Sequence, residues 1–412
     1  MSKRSVLIVG AGQAAVEVAT MLRKGDATLP ITVAGAEGHL PYQRPPLSKQ
    51  FLTGGVHADG LALRPPAFYE QNDIAVLTGT EVTAVELDSI SPGGRASTAS
   101  GHELDFTDLV FATGAKPRRL TVPGSDLAGV LYLRDLTDAT ALRTALERAR
   151  NVVVVGGGFI GLETAAVAAA IGRRTHVVEA GDRLLGRVVA PVVSDFYRDA
   201  HARRGINIVL GAEISRIEGL RGAVTGVVLG DQSRLDADLV LVGIGAEPQT
   251  EIASRAGVHC QNGIVVDSLA RTDCQGVFAA GDCTVQPHPV RPDESPVRLE
   301  SVQNAVDQAR VAAATILGAD IGPPSVPRFW SNQGDLKLQT VGISRGWDQL
   351  VVRGSLREEK FSVLYFRERE LIAADAVNSS ADFAACRIAL ARGTSITPEA
   401  AGTVPELRAL VA

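Results

Sequence analysis

The stretch Val6-Leu7-Ile8-Val9-Gly10-Ala11-Gly12-Gln13-Ala14-Ala15 decides the fold, together with Val152-Val153-Val154-Val155-Gly156-Gly157-Gly158-Phe159-Ile160-Gly161, which repeats its design. Each is a short apolar strand that turns through G-x-G-x-x-G/A into an Ala-rich helix. The first two glycines let the backbone turn tightly and approach a pyrophosphate. The third small residue lets helix pack on strand. The phosphates then rest on the helix N-terminus, where free N–H groups and the helix dipole meet negative charge.

Both units carry an acid at the expected distance. Glu37 follows Ile31-Thr32-Val33-Ala34-Gly35, and Glu179 ends Thr175-His176-Val177-Val178. A carboxylate there accepts hydrogen bonds from ribose hydroxyls. Each half also closes on an apolar strand running into glycine: Leu109-Val110-Phe111-Ala112-Thr113-Gly114 and Leu239-Val240-Leu241-Val242-Gly243-Ile244-Gly245. The repetition indicates a duplicated architecture that holds two dinucleotides, and a flavin beside a nicotinamide is the usual reason to hold two.

The chain has 412 residues, 45% apolar and 21% charged, with 42 glycines. This suits a soluble α/β protein of several domains. A net charge of −5 argues against a general nucleic-acid binder. No apolar run approaches the roughly 20 residues of a membrane span. Met1-Ser2-Lys3-Arg4 imitates the charged start of a signal peptide, but the apolar run after it breaks at Gly10, so it reads as the first strand of a cytoplasmic protein. Cys260, Cys274, Cys283 and Cys386 form no C-x-x-C, and the seven histidines show no metal-type spacing. Reduced, mostly buried thiols and no metal are expected.

Residues 1–115 read as one nucleotide-binding region, with strands at Ile74–Leu77 and Val82–Leu87 and a polar, Pro-rich segment at 40–49. Residues 116–247 read as the second. The chain then returns to the first region through 248–325, by way of Gly276-Val277-Phe278-Ala279-Ala280-Gly281-Asp282, an exposed loop at 285–297 and a helix over 304–317. Residues 326–412 read as a small α+β domain, with strands at 337–341, 350–352 and 361–366 and a helix over 380–391.

Four further stretches resemble a known family: Leu40-Pro41-Tyr42-Gln43-Arg44-Pro45-Pro46-Leu47-Ser48-Lys49, Ala279-Ala280-Gly281-Asp282, Leu299-Glu300-Ser301-Val302-Gln303-Asn304-Ala305 and Phe329-Trp330-Ser331-Asn332-Gln333. They resemble, in order and across almost the whole chain, the NADH-dependent, FAD-containing ferredoxin reductases that feed bacterial cytochrome P450s and aromatic dioxygenases, the putidaredoxin-reductase-like family. The resemblance implies a glutathione-reductase-like α/β fold: two Rossmann-like domains, for FAD (1–115 with 248–325) and NADH (116–247), plus the C-terminal α+β domain. It implies electron transfer from NADH through FAD to a small acidic [2Fe–2S] ferredoxin, by a monomer or weak dimer.

The resemblance also assigns residues. Gly10, Gly12, Ala15, Glu37, Arg44, Val82, Thr113, Gly114, Arg134, Asp282, Val302 and Trp330 are assigned to FAD. Gly156, Gly158, Ile160, Gly161, Glu179, Arg187 and Gly245 are assigned to NADH. Arg44 offers a planar fork to the pyrophosphate. Asp282 accepts from a ribitol hydroxyl, Val302 serves through its backbone, and Trp330 lies beside the isoalloxazine. Lys49 and Glu163 form the catalytic pair: a cation near flavin N5 favours negative charge on the reduced ring. Arg183 and Arg187, close in sequence to Glu179, could soften a preference for NADH. Arg310, Arg328 and Lys337 are candidates for a local basic rim that docks the ferredoxin.

The match departs from the family in places. Ala15 ends the first fingerprint in place of Gly. Asn332 and Gly334 stand where Asp and Tyr are more usual, and Arg328 replaces an apolar residue. Two other readings stay open. One is an NADH oxidase or disulfide reductase, which needs a thiol that the segment Pro45-Pro46-Leu47-Ser48-Lys49 lacks. The other is a redox-signalling flavoprotein like apoptosis-inducing factor, which shares the Lys/Glu pair.

Overall fold

The computed structural model describes residues 4–89 and 91–411; Met1 to Lys3, part of the charged start, lie outside them. The chain forms two compact units: Met1–Gln43 with Asp59–Lys116 and Glu247–Pro327, and Arg44–Ala58 with Pro117–Ala246 and Arg328–Ala412. The segments expected for FAD fall in the first, except that most of the Pro-rich segment belongs to the second. The NADH and C-terminal segments together make up the rest of the second.

The first unit is built on a parallel sheet in the order Val277–Ala279, Asp108–Phe111, Val6–Val9, Ile31–Ala34, Ile74–Leu77. These strands are apolar at nearly every position because both faces are covered. Val6 and Ile8 face the helices Gln13–Gly25 and Val302–Leu317, which bury Val18, Leu22, Ala309, Ala313 and Ile316 against them. Leu7, Val9, Leu109 and Phe111 face the other way, onto Val82, Val85, Ala96 and Phe106 of a three-stranded antiparallel sheet. The loop at 285–297 is tied at its ends by a bridge between Gln286 and Val297, so it is pinned rather than free. Its helix neighbour begins at Val302, two residues before the expected start.

The second unit repeats the parallel sheet: Ile206–Leu210, Arg174–Glu179, Asn151–Val155, Leu239–Val242, Val130–Leu131. The same unit holds an antiparallel sheet in the order Arg328–Gln333, Leu336–Gly342, Glu370–Val377, Lys360–Arg367, Gln349–Ser355. Three of these strands match those expected from the sequence; Arg328–Gln333 and Glu370–Val377 are additional. Glu370–Val377 is the central strand, yet its middle reads Ala373-Ala374-Asp375-Ala376, a run with little strand propensity. Pairing on both sides and complete burial override that propensity.

One face of this sheet is closed by the helix Ser380–Arg392. The other packs on the helix Pro191–Arg203, with Phe196 meeting Phe361 edge to face at 4.7 Å. That second face also carries polar groups. Tyr365 Oη donates to the Asp375 carboxyl and accepts from the Ala190 N–H at 2.9 Å. Burial pushes the Asp375 carboxyl up to about 7, against the lowering effect of the Tyr365 bond.

Candidate functional site: two nucleotide turns and a buried ion pair

In the first unit, Gly10 sits at φ +112°, and a Cβ there would lie 2.2 Å from the Ala112 carbonyl oxygen. Only glycine fits this approach. Gly12 caps the helix Gln13–Gly25 without a side-chain hydrogen bond, and the first turn holds no acid. A Cβ on Gly12 would meet nothing within 4 Å. Free N–H groups facing open space fit the FAD pyrophosphate. Ala15 is fully buried behind this turn. Glu37 accepts a hydrogen bond from Tyr42 Oη. Asp282 stands in the turn after Val277–Ala279, where the Gly281 N–H donates to Gln308 Oε1 at 2.8 Å. Val302 opens its helix behind the Ser301 cap. Thr113 and Gly114 are tied to Gln249, Thr113 Oγ1 donating to its carbonyl at 2.6 Å and Gln249 N–H donating to the Gly114 carbonyl at 2.9 Å. Val82 is buried at the start of its strand.

In the second unit the turn recurs. Gly156 has φ +108°, and a Cβ would lie 2.4 Å from the Gly243 carbonyl oxygen. Gly158 caps the helix Phe159–Ala170, again without a side-chain bond or a first-turn acid, and faces open space. At Gly161 a Cβ would stand 2.3 Å from the Gly156 carbonyl oxygen. Ile160 is exposed beside the cap. The Glu179 carboxylate accepts from two backbone N–H groups, Gly157 at 2.6 Å and Gly181 at 2.7 Å. Arg183 turns away from it: its guanidinium donates to the Val189 carbonyl at 2.7 Å and to the Gly186 carbonyl. It therefore has little to offer a 2′-phosphate. Arg187 is exposed, with its guanidinium near Gly245.

Lys49 follows the 3-10 turn Pro45–Ser48 in the same unit. Its Nζ meets Glu163 Oε2 at 2.6 Å and donates to the Pro45 carbonyl at 3.0 Å. Glu163 is only 4% exposed. It also accepts from Ser48 Oγ, and its Oε1 accepts from Ser331 Oγ at 2.7 Å. A buried ion pair of this kind needs such extra bonds to offset desolvation. Arg44 donates to the Arg134 carbonyl at 2.8 Å, which brings two assigned arginines together.

On the strand Arg328–Gln333, side chains alternate. Ser331 and Gln333 point inward and are fully buried, while Trp330 is 38% exposed on the opposite face. Arg328 and, across the ladder from Asn332, exposed Lys337 share the face of Trp330. Arg310, in the first unit, pairs with buried Glu17 at 2.8 Å. The motifs alone assign no role to Ser48, Ser331, Gln333 or Tyr42, although all four stand inside quoted stretches. They assign none to His201, whose partnership with Gln333 spans distant parts of the chain.

All four cysteines are unpaired; Cys283 and Cys386 are buried, whereas Cys260 and Cys274 are only partly so. Burial pushes the Cys283 thiol up, which weighs against a redox thiol there. Among the described residues no helix is long and apolar enough to cross a membrane, and no group of three or more His, Cys, Asp or Glu could hold a metal.

Residues 4–309 match the family model described as pyridine nucleotide-disulphide oxidoreductase, and residues 328–411 the one described as reductase C-terminal. A ferredoxin–NAD(P)(+) reductase of a Sphingomonas species is 41% identical over 379 residues, covering 92% of this chain and 90% of the relative. A rubredoxin–NAD(+) reductase of Pseudomonas putida is 39% identical over 376 residues, covering 91% of this chain and 96% of the relative. The solved covalent putidaredoxin reductase–putidaredoxin complex matches with a TM-score of 0.95 and 37% identity, covering 100% of this chain and 99% of that one. With the two glycine turns, their acids and the Lys/Glu pair in place, the chain belongs to the pyridine nucleotide-disulphide oxidoreductase family, as one of its ferredoxin reductases, and carries electrons from NADH through FAD to a ferredoxin.

Proposed function

We propose that the acceptor is a small, acidic [2Fe–2S] ferredoxin, and that this ferredoxin supplies a cytochrome P450 or another oxygenase. The enzyme acts as a monomer or weak dimer in the cytoplasm. Residues 1–115 and 248–325 serve FAD, 116–247 serve NADH, and 326–412 form the C-terminal domain.

The observation that carries the reading is the buried Lys49–Glu163 pair. FAD, when bound, accepts electrons in pairs and releases them singly. The chain's residues hold and polarise it. The Gly10 turn and the helix start behind it take the pyrophosphate, with Arg44 as a second anchor. Glu37 takes the ribose and Asp282 the ribitol. The Gly156 turn and Glu179 take the nicotinamide nucleotide. Lys49 is the cation assigned to the flavin's electron-accepting end, and Glu163 keeps its ammonium from turning to solvent.

Docking is assigned to Arg328 and Lys337, beside exposed Trp330 on one face of two paired strands. Arg310, in the first unit, is a further candidate, but Glu17 offsets part of its charge. Steering by exposed charges is screened by salt. NADH-driven reduction of a [2Fe–2S] ferredoxin should therefore fall with ionic strength far more than reduction of ferricyanide. It should also exceed reduction of a rubredoxin. Equal salt responses would remove the docking face, and faster reduction of rubredoxin would replace the acceptor.

A further inference from the structure

Glu163 stands at the end of a chain of buried side chains that the reaction does not explain. Ser331 Oγ lies 2.7 Å from Glu163 Oε1, Gln333 Nε2 lies 3.3 Å from Ser331 Oγ, and His201 Nε2 lies 2.7 Å from Gln333 Oε1. Ser331, Gln333 and His201 are each fully buried. His201 comes from the helix Pro191–Arg203, Glu163 from Phe159–Ala170, and the other two from the strand Arg328–Gln333.

The carboxylate at one end fixes every proton in this chain. An ionised carboxylate only accepts, so the single hydroxyl hydrogen of Ser331 points at Glu163. Ser331 Oγ must then accept from Gln333, which turns the amide nitrogen toward it and the amide oxygen toward His201. That oxygen requires an N–H on His201 Nε2. Burial holds the imidazole below its usual range, so the ring is neutral and its hydrogen sits on Nε2. His201 Nδ1, correspondingly bare, is buried with no hydrogen-bond partner among the described residues. All three donors point the same way, toward the charge. Hydrogen bonds aligned head to tail polarise one another in a low-dielectric interior.

We infer that Ser331, Gln333 and His201 form a directed hydrogen-bond chain that fixes the Glu163 carboxylate and, through it, the Lys49 ammonium. This inference rests on the assignment of Lys49 to the flavin. Gln333 and His201 are positioning residues: neither touches Lys49. Their work is to leave Glu163 Oε1 one orientation, so that Oε2 stays aimed at Lys49.

Reduction rates of a small set of variants and one midpoint potential test this in the FAD-loaded enzyme, with flavin content and Tm checked first. Gln333→Met keeps the volume but neither donates nor accepts as an amide does. It should slow anaerobic stopped-flow reduction by NADH roughly fivefold, the scale of one weakened charge-assisted contact, and make the flavin midpoint potential more negative. Ser331→Ala should act in the same direction and carries the test if Gln333→Met does not fold. His201→Leu should slow reduction, and His201→Gln, which restores an N–H donor near Nε2, should recover most of the rate. In a Lys49→Met background, Gln333→Met should add no further loss. An unchanged rate and potential in Gln333→Met and Ser331→Ala, or an equal further loss in the Lys49→Met background, would overturn the chain while leaving Lys49 in its role. Wild-type reduction in Lys49→Met would overturn the role of Lys49 and the chain with it.

Discussion

The two glycine turns are almost superimposable in their constraints and differ in how their acids are held. Gly10 and Gly156 share a left-handed φ, +112° and +108°, and each abuts the carbonyl of the residue just after the strand that closes its half, Ala112 or Gly243. The acids part company. Glu179 accepts from Gly157 and Gly181, backbone groups of its own turn and of the loop just after it. Glu37 is held by Tyr42, a side chain from the segment that follows. The second turn is therefore braced by its own acid before any nucleotide arrives. In the first, the acid answers to a neighbouring segment. The difference suits a nucleotide that arrives and leaves each cycle in one case and a resident cofactor in the other.

The largest expected effects come from the turns themselves. Alanine at either position meets a positive φ, costing on the order of 1–3 kcal/mol, and overlaps a carbonyl as well. Gly10→Ala should purify with most of its flavin missing, measured by the ratio of flavin to protein absorbance. Gly156→Ala should stay yellow yet be reduced by NADH more slowly by about a hundredfold or more, read by stopped-flow. A Gly156→Ala enzyme that loses FAD instead would break the division of labour between the two turns. The third positions sharpen it. Ala15 is fully buried and tolerated, whereas an alanine at Gly161 would strike the Gly156 carbonyl, so Gly161→Ala should impair NADH binding while Ala15→Gly costs only about 1 kcal/mol of helix stability.

Next in size is the ion pair. Lys49→Met should slow flavin reduction about tenfold or more, if an interaction of about 1.5–3 kcal/mol acts mainly in the transition state. Glu163→Ala should differ in kind: it strands a mostly buried ammonium, so Tm falls along with the rate. Variants with the wild-type rate and Tm would return both residues to structural duty.

Glu179→Ala is expected to be milder. Two backbone N–H groups lose their acceptor and the repulsion of a 2′-phosphate disappears, so kcat/KM should fall for NADH and rise or hold for NADPH. The ratio should narrow by about tenfold, roughly 1.4 kcal/mol. Arg183 is occupied with the carbonyls of residues 186 and 189, so Arg183→Ala should loosen that loop without changing which nucleotide is preferred. A preference that moves with Arg183 would count against the braced-turn reading.

Much of this was legible in the sequence because it rests on local rules. A strand, a glycine turn and a helix are neighbours in the chain, and so are Ser48 and Lys49. The strand Glu370–Val377 was not legible: alanines carry no strand signal, and its place in the middle of a sheet comes from partners at both flanks. Gln333 and His201 were hidden for a related reason. Neither has an assigned role until folding sets one 2.7 Å from the other. The membership of residues 44–58 in the second unit was equally unreadable, since nothing in a Pro-rich segment states which body it packs on.

The buried Asp375 gives the fold a proton inventory. Its carboxyl is pushed up to about 7 in the folded chain, from an ordinary value of 3.8. Between those values the folded state holds a proton that the unfolded chain gives up. Unfolding near pH 6 should therefore release protons, and this contribution to stability is full below about 3.8, shrinks as pH rises toward 7, and is constant above. Calorimetric unfolding in two buffers of different ionisation heat should give enthalpies that differ accordingly, and in Asp375→Asn that difference should diminish. The burial of Asp375, which outweighs the opposing hydrogen bond from Tyr365, thus makes the assembly of the second unit a protonation reaction.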